Sequence, residues 1–392
     1  MTEDFPLSRR GFLGGGLALG CSAAASPLIT PVALARAPGE NRLVVIILRG
    51  AMDGLDLVRP MGEKAFATMR PTLLQGARGH DLDGFFTLHP AMTALAPLWK
   101  AGELAFVHAV STPYRGKRSH FDGQDLLENG GYSPDGSMLP SRDGWLNRAV
   151  GLIPGADMRT AFSVGQENML LLDGKTEVSS WTPDAKVPLS AQARTLLEKI
   201  YTGQPVYQEA LHQALMLADE DLGDLPARRG VRRLAAYAAT QLNRDTRIAA
   251  FSIGGWDTHR AQEISLKRAM DQLSAAVLAL HKGLGANWKR TAVVAVTEFG
   301  RTARENGSRG TDHGTGGAML LAGGALSGAK VHGEWPGLGP SDLLEDRDLR
   351  PTQDVRRSLG WLLRGLYGLD SADIERVVFP HLDMGADPGL LA

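Results

Sequence analysis

Short, continuously apolar runs recur along the chain and alternate with longer stretches of helical periodicity. Residues 42–49 (RLVVIILR), 104–110 (LAFVHAV), 247–253 (RIAAFSI) and 293–296 (VVAV) are apolar at consecutive rather than alternate positions, apart from the flanking arginines, His108 and Ser252. Such runs mark strands buried on both faces, the habit of parallel sheets. Residues 161–164, 318–321 and 330–331 are weaker strand candidates. Helices are expected at 63–69, 91–100, from about Ser119, and at 144–152, 232–243, 262–284 and 351–366. Pro90 and Gly102 bracket the second of these, and Pro351 and Gly368 the last. Strand and helix in alternation predict an α/β domain with a mostly parallel sheet sandwiched by helices. From about residue 170 to 225 the rhythm changes. Helical patterns at 190–201 and 206–221 are joined by polar, proline-containing pieces. This reads as a helical insertion over the ligand edge of a single domain spanning 36–392.

The first 35 residues have a different character. Ser8-Arg9-Arg10-Gly11-Phe12-Leu13 is a twin-arginine export motif, and a weakly apolar, glycine-rich stretch follows. Ala33-Leu34-Ala35 offers a cleavage site. A short membrane anchor is the alternative, but the stretch is rich in glycine and lacks a stop-transfer flank. The expectation is a cleaved signal peptide, the twin-arginine export machinery as a partner, no stable membrane anchor, and a periplasmic or secreted protein exported already folded. The one cysteine, Cys21, falls inside this segment. The charge balance, 42 Lys+Arg against 43 Asp+Glu, argues against a nucleic-acid binder.

Candidate chemistry gathers after the strands. Asp53 follows the first strand, Ser119-His120 the second, Asp257-Thr258-His259 the third, and Glu298 with Asp312-His313 the fourth. Parallel strands bring such loops to one edge, where ligands bind in open α/β sheets. Carboxylates and imidazoles without cysteine suit one or two divalent ions: Zn, Mn, Mg or Ca. The expected ligands are Asp53, Asp257, His259, Glu298, Asp312 and His313. Asp53 before Gly54 also fits an Asx-turn, and Asp257 a helix cap. Ser119 at a helix start is the candidate nucleophile, and also a common N-cap. Arg118, His120 and Arg301 are candidates for binding a small anionic ester.

Several segments, taken in order, carry a resemblance: Gly50-Ala51-Met52-Asp53-Gly54-Leu55, Leu88-His89-Pro90-Ala91, Arg118-Ser119-His120-Phe121, Gly255-Trp256-Asp257-Thr258-His259, Glu298-Phe299-Gly300-Arg301-Thr302 and Thr311-Asp312-His313-Gly314. Together they resemble the DUF1501 family of twin-arginine-exported bacterial proteins of unknown function. That family is similar to the alkaline phosphatase and sulfatase superfamily. The resemblance implies a metal-dependent hydrolase of a phosphate or sulfate ester, with Ser119 attacking or positioning a water. Its rival is a non-catalytic exported binding or assembly protein that keeps the fold. Two departures stand out: the Asp257-to-His259 spacing is short, and Phe299 stands where the superfamily has a histidine after the strand-end carboxylate.

Overall fold

The computed structural model describes residues 39–132, 142–165, 169–181, 199–201 and 227–392. The leader and most of the expected insertion lie outside the described residues. The chain enters through β1 (Arg42–Leu48), a one-turn α1 (Gly54–Leu57), β2 (Val58–Arg59), α2 (Lys64–Met69), β3 (His80–Asp81) and β4 (Thr87–Leu88). After a 3₁₀ segment come α3 (Ala96–Lys100), β5 (Leu104–Ser111), α4 (His120–Asn129), α5 (Trp145–Leu152), β6 (Ala161–Val164) and β7 (Ser179–Trp181). Then follow α6 (Ala227–Leu242), β8 (Ile248–Ile253), α7 (Gln262–Leu284), β9 (Thr291–Val296), β10 (Gly317–Ala322), β11 (Lys330–His332), β12 (Gln353–Asp354) and α8 (Val355–Tyr367).

One nine-stranded sheet organises the described residues, in the order β11-β5-β10-β9-β1-β8-β6-β7, with β12 also on β5. All seven residues of β1 are buried. Successive side chains of a strand point to opposite faces, and β1 divides accordingly. Val44, Ile46 and Leu48 enter one core with residues of α6, α7 and α3. Leu43, Val45 and Ile47 enter another with residues of α5 and α8. Covered faces on both sides explain the absence of apolar/polar alternation in these runs.

β1 pairs in parallel with β8 and β9. β10 is antiparallel to both β9 and β5. Two reversals restore direction, so β5 ends at the same edge as β1, β8 and β9. That edge carries the candidate chemistry.

Two expectations are corrected. The last helix begins at Val355 rather than at Pro351, because Gln353 and Asp354 pair with Val110 and Ser111 and Asp354 caps the helix. The stretch from 170 is not wholly helical. Ser179–Trp181 is a strand on β6, too short and too poor in β-branched residues to show in a hydrophobic pattern. The small antiparallel sheet β2-β4-β3 escapes sequence reading for the same reason. Among the described residues no helix is long and apolar enough to cross a membrane.

Candidate metal centre

At the strand-end edge, His120, Asp257 and His313 each offer a ligand atom, all within 4.8 Å of one another. His120 opens α4, Asp257 lies on the loop after β8, and His313 on the loop after β9. His259 joins them. Its Nε2 lies 3.0 Å from His313 Nε2 and 3.1 Å from Asp257 Oδ1. His313 Nε2 is 3.4 Å from the same Asp257 oxygen, and His120 Nε2 is 3.5 Å from Asp257 Oδ2.

Each imidazole is held by its other nitrogen. His120 Nδ1 meets Glu298 Oε1 at 2.8 Å, His259 Nδ1 meets Asp312 Oδ1 at 3.2 Å, and His313 Nδ1 donates to the Arg118 carbonyl at 2.8 Å. All three rings therefore present Nε2 to one place. Metal-ligating histidines characteristically anchor the remote nitrogen on a carboxylate or carbonyl. His120 Nε2 is enclosed and makes no hydrogen bond. Two ring nitrogens 3.0 Å apart repel unless a proton or a cation lies between them. The donors also fit an ion by spacing. Tetrahedral ligands with bonds of about 2.0–2.1 Å stand about 3.3–3.4 Å apart, and the Asp257, His259 and His313 atoms are 3.0–3.4 Å apart.

The expected ligands thus separate into two groups. Asp257, His259 and His313 converge, and His120, expected to bind substrate, joins them. Asp312 orients His259 and also accepts from Asn306 Nδ2 at 3.1 Å. Glu298 is fully buried. Its Oε1 accepts from Gly50 N, His120 Nδ1 and Gln124 Nε2, and its Oε2 lies 2.8 Å from Thr297 Oγ1. It holds His120 by Nδ1 and is not among the clustered atoms.

Asp53 is not in the centre. One oxygen caps α1, and the other receives Arg70 Nη1 and Gln262 Nε2, each at 2.7 Å. Removing one partner of a buried ion pair costs roughly 3–5 kcal/mol, since the other charge is left unpaired.

The arginines are likewise committed. Arg301 is buried and donates to the carbonyls of Ala51, Gly50, Trp256 and Thr311 and to Asp257 Oδ1 at 2.6 Å. It fastens three strand-end loops together and fixes Asp257. Arg118 turns its guanidinium to Glu345 and Asp348, and only its carbonyl serves the site. Ser119 caps α4 through a long 3.5 Å contact with Asp122 N, while its own N–H donates to the Tyr114 hydroxyl. Phe299, in place of a histidine, stacks on His120 with centroids 5.3 Å apart.

Protonation follows from these contacts. The Glu298 hydrogen bond, against the effect of burial, raises His120 above the ordinary imidazole range. Burial pushes Asp257 up, but Arg301 outweighs it and holds the carboxyl below its usual range. Burial likewise works against Glu298, yet the bonds from His120, Gln124 and Thr297 keep it ionised to lower pH. Burial lowers His313, which favours the neutral ring a metal requires.

The loops are packed backbone to backbone. Gly50 has φ +120°, and a Cβ there would lie 2.6 Å from Asp257 N. Ala51 and Arg118, both non-glycine, adopt positive φ beside the centre, a local strain typical of functional sites.

The model of the "Protein of unknown function (DUF1501)" family matches residues 40–378. The chain belongs to the DUF1501 family. No curated protein matches it. Several solved structures resemble this DUF1501 chain at low identity. Ps i-CgsB in complex with k-i-k-neocarrahexaose is 8% identical, with 85% of this chain and 73% of that one covered and a TM-score of 0.43. The C-terminal periplasmic domain of EcEptC from Escherichia coli, in complex with Zn, is 12% identical, with 91% and 94% covered and a TM-score of 0.40. A protein in the alkaline phosphatase superfamily from Vibrio parahaemolyticus is 14% identical, with 85% and 68% covered and a TM-score of 0.34.

Proposed function

We propose that this DUF1501 protein is an exported, metal-dependent hydrolase of a phosphate or sulfate ester, with a single divalent ion held by His120, Asp257, His259 and His313. The observation that supports the reading is the convergence of three Nε2 atoms and one carboxylate, with each imidazole anchored at its remote Nδ1 and Asp257 held through Oδ1 by Arg301. Three imidazoles and one carboxylate suit zinc or manganese better than magnesium or calcium, which prefer oxygen. We propose one ion rather than two because Asp53, bonded to Arg70 and Gln262, is not among the clustered ligand atoms, and Glu298 bonds His120 at Nδ1, the ring nitrogen remote from the cluster.

When bound, the ion supplies Lewis-acid polarisation of the ester oxygen. The chain's own residues do the rest. Ser119 sits between Arg118, whose carbonyl holds His313, and the ligand His120. In this reading its weakly engaged hydroxyl, 3.5 Å from Asp122 N, attacks the ester or orients a water. The N-terminus of α4, a ten-residue helix, turns its positive end toward an anion. Arg301 keeps Asp257 ionised and aimed. Twin-arginine export to the periplasm, by the Ser8–Leu13 motif, completes the proposal.

A non-catalytic binding role has one observation in its favour: Arg118 and Arg301 are both tied to protein groups and neither is free to hold the transferred anion. Metal analysis by mass spectrometry of protein exported in folded form, followed by assay on aryl phosphates and aryl sulfates, separates the two. The hydrolase reading expects about one ion per chain and turnover that depends on it. Protein that contains no metal and stays inactive after zinc, manganese or calcium is added would refute it.

A further inference from the structure

His120, Gln124 and Glu128 stand at i, i+4 and i+8 of α4, a spacing that puts all three on one helix face. That face is turned to the sheet edge, and each side chain has a partner there. His120 meets Glu298 at the end of β9. Gln124 donates from Nε2 to Glu298 Oε1 at 3.1 Å and accepts at Oε1 from Arg49, at the end of β1, at 3.0 Å. Glu128, 3% exposed, takes Arg49 Nη1 at 2.7 Å and the Leu171 N–H at 3.0 Å. The result is an unbroken line of contacts: Leu171, Glu128, Arg49, Gln124, Glu298, His120.

Only one orientation of the Gln124 amide serves both neighbours. Its oxygen must face the guanidinium, which only donates, and its nitrogen the carboxylate, which only accepts. Gln124 is therefore the polarity-reversing link between a cation and an anion. It is also one of three donors on the very oxygen that holds His120.

We propose that Gln124 is a positioning residue of the metal centre, setting the ring of His120 through Glu298, with Arg49 and Glu128 fixing Gln124 in turn. The inference rests on the metal reading above only for its functional consequence, since the line of contacts exists without an ion. Outer partners of metal-bound histidines commonly change metal affinity about 10–100-fold when altered. Gln124→Glu is the informative variant. It is isosteric and keeps the acceptor for Arg49, but sets a second carboxylate against Glu298 where a donor stood.

The test is zinc titration of the purified full-length chain. Gln124→Glu is expected to weaken zinc binding at least tenfold, and Gln124→Ala by a smaller factor. Asp125→Ala, on the exposed face of α4, serves as the control and is expected to match the wild type. If both Gln124 variants fold and bind zinc within twofold of the wild type while His120→Ala binds it poorly, the proposal is overturned. If His120→Ala itself leaves zinc binding unchanged, the ligand assignment has failed instead. In that case nitrogen-15 spectra of the zinc-free protein decide the positioning role. His120 protonated at Nδ1 in the wild type, with a mixture of tautomers in Gln124→Glu, supports it. The same single tautomer in both overturns it.

Discussion

Asp53 and Asp257 each follow a strand and each precede a short loop, yet their surroundings assign them opposite work. Asp53 is sealed under α1 against Arg70, whereas Asp257 is half-exposed with one oxygen on Arg301. Asp53→Ala should lower unfolding stability by roughly 3–5 kcal/mol, because Arg70 is left as an unpaired buried charge, while metal content in the folded fraction is retained. Asp257→Ala should lose bound metal, and should also lower the denaturant midpoint, because it removes a charge partner of the buried Arg301, though by less than Asp53→Ala since Asp257 is half-exposed. Gly50 is a third residue whose role is set by its neighbours. Gly50→Ala must accept a strained φ and a collision with the Asp257 backbone. It should cost at least about 1–3 kcal/mol, seen as a lower thermal midpoint, and should weaken metal binding by displacing Asp257.

At the level of elements, the strands and long helices were legible because their chemistry is local. The run RLVVIILR admits little but a doubly buried strand, and helix α7 begins and ends where its pattern does. The gathering of Asp, Glu and His residues at one sheet edge was legible too, since parallel pairing dictates it. Sequence reading could not divide ligands from supports. Glu298 and His259 are both ligand types at strand ends, and only the fold shows one buried under four donors and the other facing His313. Arg118, expected to hold an anion, turns its guanidinium to Glu345 and Asp348 and only its carbonyl to His313, a direction that its place beside Ser119 in the sequence does not reveal. The line of side chains on α4 had a readable signal, the spacing His120, Gln124, Glu128, but its meaning depends on Arg49, which arrives from another strand. The start of α8 was misplaced because Pro351 imitates an N1 proline, while Asp354 accepts from Arg356 N and pairs with its side chain. Asp354→Ala removes that cap and should cost about 0.5–2 kcal/mol, measurable by chemical denaturation.

Across the whole molecule, two core histidines make stability depend on pH below neutrality. His108 donates from Nε2 to the Val58 carbonyl and accepts at Nδ1 from Ala109 N, which fixes it as neutral. His89 accepts from Ala91 N and is also buried. Burial lowers each to about 4. Between about 6.5, where an unfolded histidine titrates, and the folded values, the unfolded chain binds more protons, so stability falls as pH falls through that window. Each can contribute up to roughly 3 kcal/mol of that loss. His120 acts in the opposite sense. Its raised value gives stability that is fully present below its unfolded value and is lost as pH rises through the folded one. His313 and His332, also lowered by burial, act with His89 and His108 against the raised ring, His120, and leave a net decline in acid. Urea midpoints measured between pH 7 and 4.5 should fall, and His108→Gln should show a shallower decline than the wild type. A decline equally steep in the variant would count against His108 as a cause.

The central position of β1 also bears on the order of events during synthesis. Leu43 pairs with Ile248 on one side, and Arg42 with Thr291 on the other. β1 therefore waits for the chain to reach Ile248 before its first neighbour exists, and Thr291 before its second. Pairings so remote in sequence make folding slow, and they leave RLVVIILR, an aggregation-prone segment by its own composition, uncovered in the meantime. A chaperone that held the nascent chain until β9 had emerged would keep this segment covered.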